Sequence, residues 1–247
     1  MNKKYSLTKN TKVWCGITLF QIKAEISFGN VSKGDLGGYI EKEDNLSMEG
    51  NAWVYGDAQV YGDAQVYGNA RVYGNARVYG NAWVYGDAQV YGNAWVYGNA
   101  RVYGNAQVYG NAWVSGNARV YGDARVYGNA WVYCDAQVYG DAQVYGNAWV
   151  YGDAQVYGDA QVYGDARVSL KASFTKGWFI GGDDSGKITD ITDKTGSTYW
   201  RNQYVLGDYE ITPIEEEKKE IETLKIGDKT YSKNEVEEAL KNIKSLN

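Results

Sequence analysis

From Asn51 to Leu170 the chain repeats one hydrophobic and polar pattern, twenty consecutive hexapeptides of Asn or Asp, Ala, a free position, Val, Tyr and Gly. Side chains of an extended strand alternate between its two faces, so Ala and Val point to one side while the free residue and Tyr point to the other. Gly followed by Asn or Asp supplies the corner, because these residues tolerate the positive φ of a tight turn. The pattern predicts a strand of four and a turn of two, coiled repeatedly, with Ala and Val inside. A hexad buries only one Val and one Ala, so no coil stands alone and stability is shared between neighbours.

The spacing of an aliphatic residue, three free positions, a small residue and one more free position resembles the hexapeptide signature of the left-handed parallel β-helix, best known from bacterial acyltransferases. Val takes the aliphatic place and Ala the small one. The resemblance covers residues 45–170 and implies three hexads per coil, three flat faces, an 18-residue period and left-handed coiling. Twenty hexads then make about 6.7 coils, roughly 32 Å of stacking at about 4.8 Å per strand. The fold class expected is all-β, a single-stranded left-handed parallel β-helix with β-rich caps and a short C-terminal helical tail.

Around the repeats the boundaries expected are an N-terminal β cap over 1–35, the β-helix over 36–170, a C-terminal β cap over 171–213, and a connector with a strand and helix over 214–247. Leu46 and Met48 keep the hexad register and are expected inside. Val13, Trp14, Ile17, Leu19, Ile22 and Ile26 read as strands shielding the first coil's open edge. Residues 177–188 read as a hairpin, 224–231 as one short strand. Ser232 and Glu235 form a capping box for a last helix. In it Val236, Leu240 and Ile243 lie on one apolar stripe, read as packing within the chain or joining it to another. The blocks Gly34 to Ile40 and Trp178 to Gly186 resemble small bacteriophage and prophage proteins.

Composition narrows the chemistry. The sequence contains no histidine, the commonest general base and metal ligand, and the resembling acyltransferases rely on one. No paired carboxylates, phosphate-cradling loop or nucleophile elbow takes its place, so neither catalysis nor a cofactor is expected. Cys15 and Cys134 form no metal or disulfide pattern, and Cys134 reads as drift at an exposed corner. A formal charge of −5 disfavours nucleic acid. No run approaches a membrane span and the N-terminus lacks an apolar signal region, so the cytoplasm is expected, that of the host cell if the chain is phage-encoded. Asp123, Asp141 and Asp159 stack in one corner column and read as a structural accident rather than a metal site.

Function is therefore sought where the repeats differ. Taking every third hexad as one face, the second face carries Gln59, Arg77, Trp95, Trp113, Trp131, Trp149 and Arg167, four tryptophans in consecutive coils. Asn93, Asn111, Asn129 and Asn147 keep its corner uncharged, and Tyr97, Tyr133 and Tyr151 run beside it with Ser115 interrupting the column. Duplication of an 18-residue unit would also stack like residues. The binding reading is an exposed aromatic strip that engages a host or viral protein, with inhibition as its expected effect. Two alternatives are a glycan or nucleotide binder and a structural scaffold. By analogy with hexapeptide β-helices, and because the strip gives a reason for association, a homotrimer is also expected.

Overall fold

The computed structural model describes residues 3–168 in full and, beyond them, the backbone of Ser173–Phe174, Trp178–Gly181, Thr198–Trp200, Gln203–Leu206, Thr223–Ile226 and Lys229–Ser232. Two compact units divide the chain, residues 1–212 and 213–247. The first is an all-β parallel β-solenoid of about seven turns, built on three parallel sheets. Each sheet takes every third hexad, with residues paired 18 apart: Trp95 lies against Trp113, Arg101 against Arg119, and Gln89 against Gln107. The three faces and the 18-residue period are as expected.

Within a hexad the free residue and Val are in strand, as in Trp95–Val96, joined by the Tyr only in Gln161–Tyr163, so the expected strand of four is shorter. The corner consumes the rest, yet it stays in the ladder. Trp95 N donates to Ala112 O at 2.9 Å, Tyr97 N to Val114 O at 3.0 Å, and Asn93 N to Gly110 O at 2.7 Å. Gly110 holds the left-handed φ of 70° that lets the chain turn there. Every Ala and Val of the repeats from Ala52 to Val168 is buried, and together they make one continuous core. Dispersion and apolar burial are thus concentrated along the axis of the coils.

The N-terminal cap is a hairpin of β1 (Tyr5–Trp14) and β2 (Ile17–Ala24), turned at Cys15 and Gly16. β2 pairs antiparallel with β3 (Leu36–Ile40), and β3 begins the parallel stack against Gln59–Val60. Lys4 fastens the cap: its Nζ donates to Ser47 O at 3.0 Å and Ala52 O at 2.8 Å. Burial holds that amine down at about 8, below its usual 10.5. Tyr5 donates to Leu46 O at 2.7 Å.

Three expectations for the caps are corrected. Met48 is 36% exposed although it stands at a Val position, because the chain leaves the ladder between Ser47, which donates to Val66 O, and Asn51, which donates to Gly68 O. Val13 is likewise exposed, on the outer side of β1, whereas Leu19 and Ile22 are buried. Trp178–Gly181 joins the second sheet beside Gln161–Tyr163, and its antiparallel partner is Gln203–Leu206, not a segment within 177–188.

In the second unit, Thr223–Ile226 and Lys229–Ser232 form an antiparallel hairpin where one strand was expected. The helical connector, the capping box at Glu235 and the stripe of Val236, Leu240 and Ile243 lie outside the described residues. Among the described residues no helix is long and apolar enough to cross a membrane.

Candidate binding face

The first sheet brings Trp95, Trp113, Trp131 and Trp149 into one column, as the sequence predicts. Their rings stack at centroid distances of 4.9, 4.8 and 5.1 Å with interplanar angles of 3°, 3° and 8°. The coil spacing exceeds aromatic contact distance, about 3.5 Å, so the nearly parallel rings meet offset, a favoured arrangement for π systems. Stacking covers ring faces and leaves edges outward. All four tryptophans are half-buried, a correction to the exposed strip that the sequence suggests.

Arginines close both ends of the stack. The Arg167 guanidinium lies 5.0 Å from the Trp149 ring, and that of Arg77 lies 4.9 Å from Trp95. On its other side Arg77 is 3.7 Å from Trp14 of β1, so the cation is sandwiched between cap and ladder. Its buried Nε has no hydrogen-bond partner. The hexad pattern assigns Arg77 only to an outer face; its seat under Trp14 comes from the cap, which the repeat does not encode. Trp53 shows the same influence. It occupies a free position yet is 1% exposed, with Tyr5 and Phe28 edge-on at 6.1 and 5.3 Å.

The neutral corner is a hydrogen-bonded amide ladder. Asn75 donates through Nδ2 to Asn93 Oδ1, Asn93 to Asn111, Asn111 to Asn129, and Asn129 to Asn147, over 3.0 to 3.2 Å. Asn147 then donates to Asp165 at 2.9 Å. Asp accepts but cannot pass a proton on, so the run ends there. The other corners obey the same polarity, ending at Asp87, Asp123 and Asp135. The Asn/Asp choice thus sets where each ladder stops, a role visible in the sequence only as a composition change. Among the described residues no cluster of acidic or thiol groups is arranged to hold a metal.

Tyrosine columns run beside the free positions on all three sheets, with rings 4.6 to 5.1 Å apart. Where the free residue is Gln, the hydroxyl donates to it one coil on: Tyr127 to Gln143 and Tyr145 to Gln161, each at 3.2 Å. On the Trp face the ring meets an indole edge-on, as Tyr97 meets Trp113 at 6.2 Å and 79°, and Tyr133 meets Trp149 at 6.4 Å and 77°. Desolvation in the columns, reinforced by neighbouring tyrosines, pushes Tyr79 and Tyr145 up to about 12 and raises Tyr133. Tyr151 stacks on Tyr133 at 5.1 Å, and Ser115 leaves the column open between Tyr97 and Tyr133.

A concavity of about 490 Å³ lies away from this column, at the first strand of the third sheet, where Lys42 pairs with Asp63 at 2.7 Å. Its lining of Lys42, Asp44, Asn45, Ser47, Gln65 and Tyr67 is mostly polar.

The family model described as YdcK Beta solenoid repeat matches residues 64–76, 70–86, 88–104, 95–108, 106–121, 118–133, 136–152, 142–158, 154–169 and 160–173. The repeats are therefore similar to the YdcK β-solenoid repeat, in agreement with the observed coils. Trp95, Trp113, Trp131 and Trp149 all fall inside matched stretches, whereas Cys134 falls between two of them. No curated protein matches the chain.

Proposed function

We propose that this chain is a non-catalytic binding protein that engages another protein through the face centred on Trp95, Trp113, Trp131 and Trp149. The Trp column carries the reading. On no other face of the described coils do aromatic residues fill four consecutive free positions, and this column is flanked on one side by an uncharged amide ladder. Indole edges offer apolar contact area from side chains already held in place by stacking, so little rotamer freedom is lost on docking. The Asn amides are hydrogen-bonded along the ladder, and no carboxylate from Asn75 to Asn147 on this corner would have to be desolvated.

The lack of histidine supports a non-catalytic role. The resemblance to bacteriophage and prophage proteins puts host or viral proteins first among candidate partners. Left-handed coiling and homotrimeric assembly are what the hexapeptide resemblance implies, and a trimer built on the Trp face would occupy the residues that a partner would meet.

Replacing Trp113 and Trp131 together with Gln, a residue that other rungs already hold, should preserve the solenoid and abolish capture of a partner. Capture that survives in the folded double variant would refute the assignment. Light scattering on the same proteins tests self-association: a trimer of the 27.5 kDa chain that dissociates on substitution would make a second copy the occupant of the face.

A further inference from the structure

In the nineteen hexads from Asn51 to Gly164, two residues break the rule at the Ala, Val, Tyr and Gly positions: Ser115 replaces Tyr and Cys134 replaces Gly. The fold brings them together. Trp113–Val114 pairs with Trp131–Val132, which sets Ser115 one coil from Tyr133. A Cβ on Gly116 would lie 2.9 Å from the Cys134 nitrogen, so the two altered corners are stacked directly.

The rings bordering Ser115 have not closed over the gap. On one side Tyr97 stacks on Tyr79 at 5.0 Å and 3°; on the other, Tyr133 stacks on Tyr151 at 5.1 Å and 5°. Each also keeps its edge-on angle to an indole, 79° for Tyr97 and 77° for Tyr133. Trp95, Trp113 and Trp149 each receive such a contact, from Tyr79, Tyr97 and Tyr133. The rung that would supply it to Trp131 is residue 115. Tyr97 and Tyr133 are two coils apart, about 10 Å of ladder that one further ring would fill. The backbone beneath is intact, with Ser115 N donating to Val132 O at 2.9 Å.

We propose that this missing rung is a binding slot for one planar, uncharged aromatic ring of phenol or indole size, stacked between Tyr97 and Tyr133 with its edge toward Trp131. Two parallel ring faces at double the ladder spacing select a flat guest, since a bulky aliphatic group fills the width without offset stacking. The corner beside the slot runs from Asn117 to Asp135, whose carboxylate accepts from Asn117 at 2.9 Å and disfavours an anionic guest. Ser115, half-buried at the root of the slot, offers a hydroxyl to a phenol O–H or an indole N–H. The guest is either a free small molecule or an aromatic side chain of a binding partner. The slot adjoins the Trp column at Trp131, and ring binding by the isolated chain requires no protein partner.

Titration of the purified chain with p-cresol and indole, followed by calorimetry and by NMR of the tyrosine rings, should show saturable binding of one ring per chain. N-acetyltyrosinamide and N-acetyltryptophanamide form the second arm: binding of these marks a ring carried on a polypeptide, and binding of the free rings alone marks a small molecule. Ser115→Tyr fills the slot with the residue that the other rungs hold, and should weaken binding at least about tenfold, the loss of two stacked faces. Ser115→Ala keeps the slot open and should bind within a few-fold of the parent. Unchanged binding in Ser115→Tyr, equal loss in Ser115→Ala, or no saturation by any probe up to about 10 mM would overturn the proposal. Partner capture through the Trp column is read in a separate assay, so the two readings fail separately.

Discussion

Cys134 occupies a corner that favours glycine, and replacing it should stabilise the protein. Its φ is 60°, inside the left-handed region, and its side chain is exposed, so it gains little from packing in exchange. That conformation costs an L-residue about 1–2 kcal/mol. Glycine returns about 0.5–1 kcal/mol through the greater freedom of its unfolded chain. Cys134→Gly should therefore gain about 0.5–1 kcal/mol, a rise in Tm of about 1–4 °C for a chain of this size. The reciprocal change is Gly110→Ala. Gly110 has φ 70°, and an added Cβ would meet Gly128 N at 3.0 Å and Gly128 O at 3.1 Å. That oxygen already accepts from Asn111 N at 2.8 Å, so the neighbouring coil cannot yield without straining a ladder bond. The variant should lose about 2 kcal/mol and melt about 4–8 °C lower. Calorimetric melts in reducing buffer, which removes intermolecular disulfides from the comparison, read both changes. Shifts of the same sign, or a lower Tm for Cys134→Gly, would refute the account of the corner.

The polarity of the amide ladders and the tyrosine columns give two more tests. Asn129→Asp should keep the bond accepted from Asn111 and lose the one donated to Asn147, at a cost of about 1 kcal/mol, whereas Asp165→Asn, at the ladder's end, should be neutral; equal urea midpoints for the two variants would contradict this. Raised tyrosine pKa values mean that the native state holds protons which the unfolded chain releases above its usual 10, so stability is intact below pH 10 and is lost as pH climbs toward 12, the value for Tyr79 and Tyr145. Phenolate absorbance and circular dichroism recorded together should show late ionisation accompanied by loss of sheet, and ordinary ionisation near pH 10 with the fold unchanged would count against it.

The coil was legible in the sequence because a six-residue rule repeated twenty times leaves little else for Ala and Val to do than fill an interior. Once three hexads make a turn, the partner of every residue follows by counting, and Trp95, Trp113, Trp131 and Trp149 fall into line. The number three itself came from the family resemblance, since alternation within a hexad says only which side of the strand is buried. Counting fails where the chain stops repeating. Met48 stands at a Val position but outside the ladder, Trp53 stands at an outer position but beneath Tyr5 and Phe28, and Arg77 is enclosed by Trp14 from more than sixty residues away. Each depends on how the hairpin of β1 and β2 lies over the first coils, a tertiary contact with no counterpart in the repeat.

Regularity also changes what a single substitution signifies. In an ordinary core the neighbours of a lost ring relax in part, and the shape of the space that remains depends on how far the site can collapse. In a ladder each ring is fixed from two directions, by the ring in the next coil and by the indole beside it, and the backbone below is tied every few ångströms to the coils on either side. Removing one rung at Ser115 therefore leaves its outline in place. Among residues so constrained, the departures from the rule are where chemistry is free to enter, and Ser115 and Cys134 stand in consecutive coils on the Trp face.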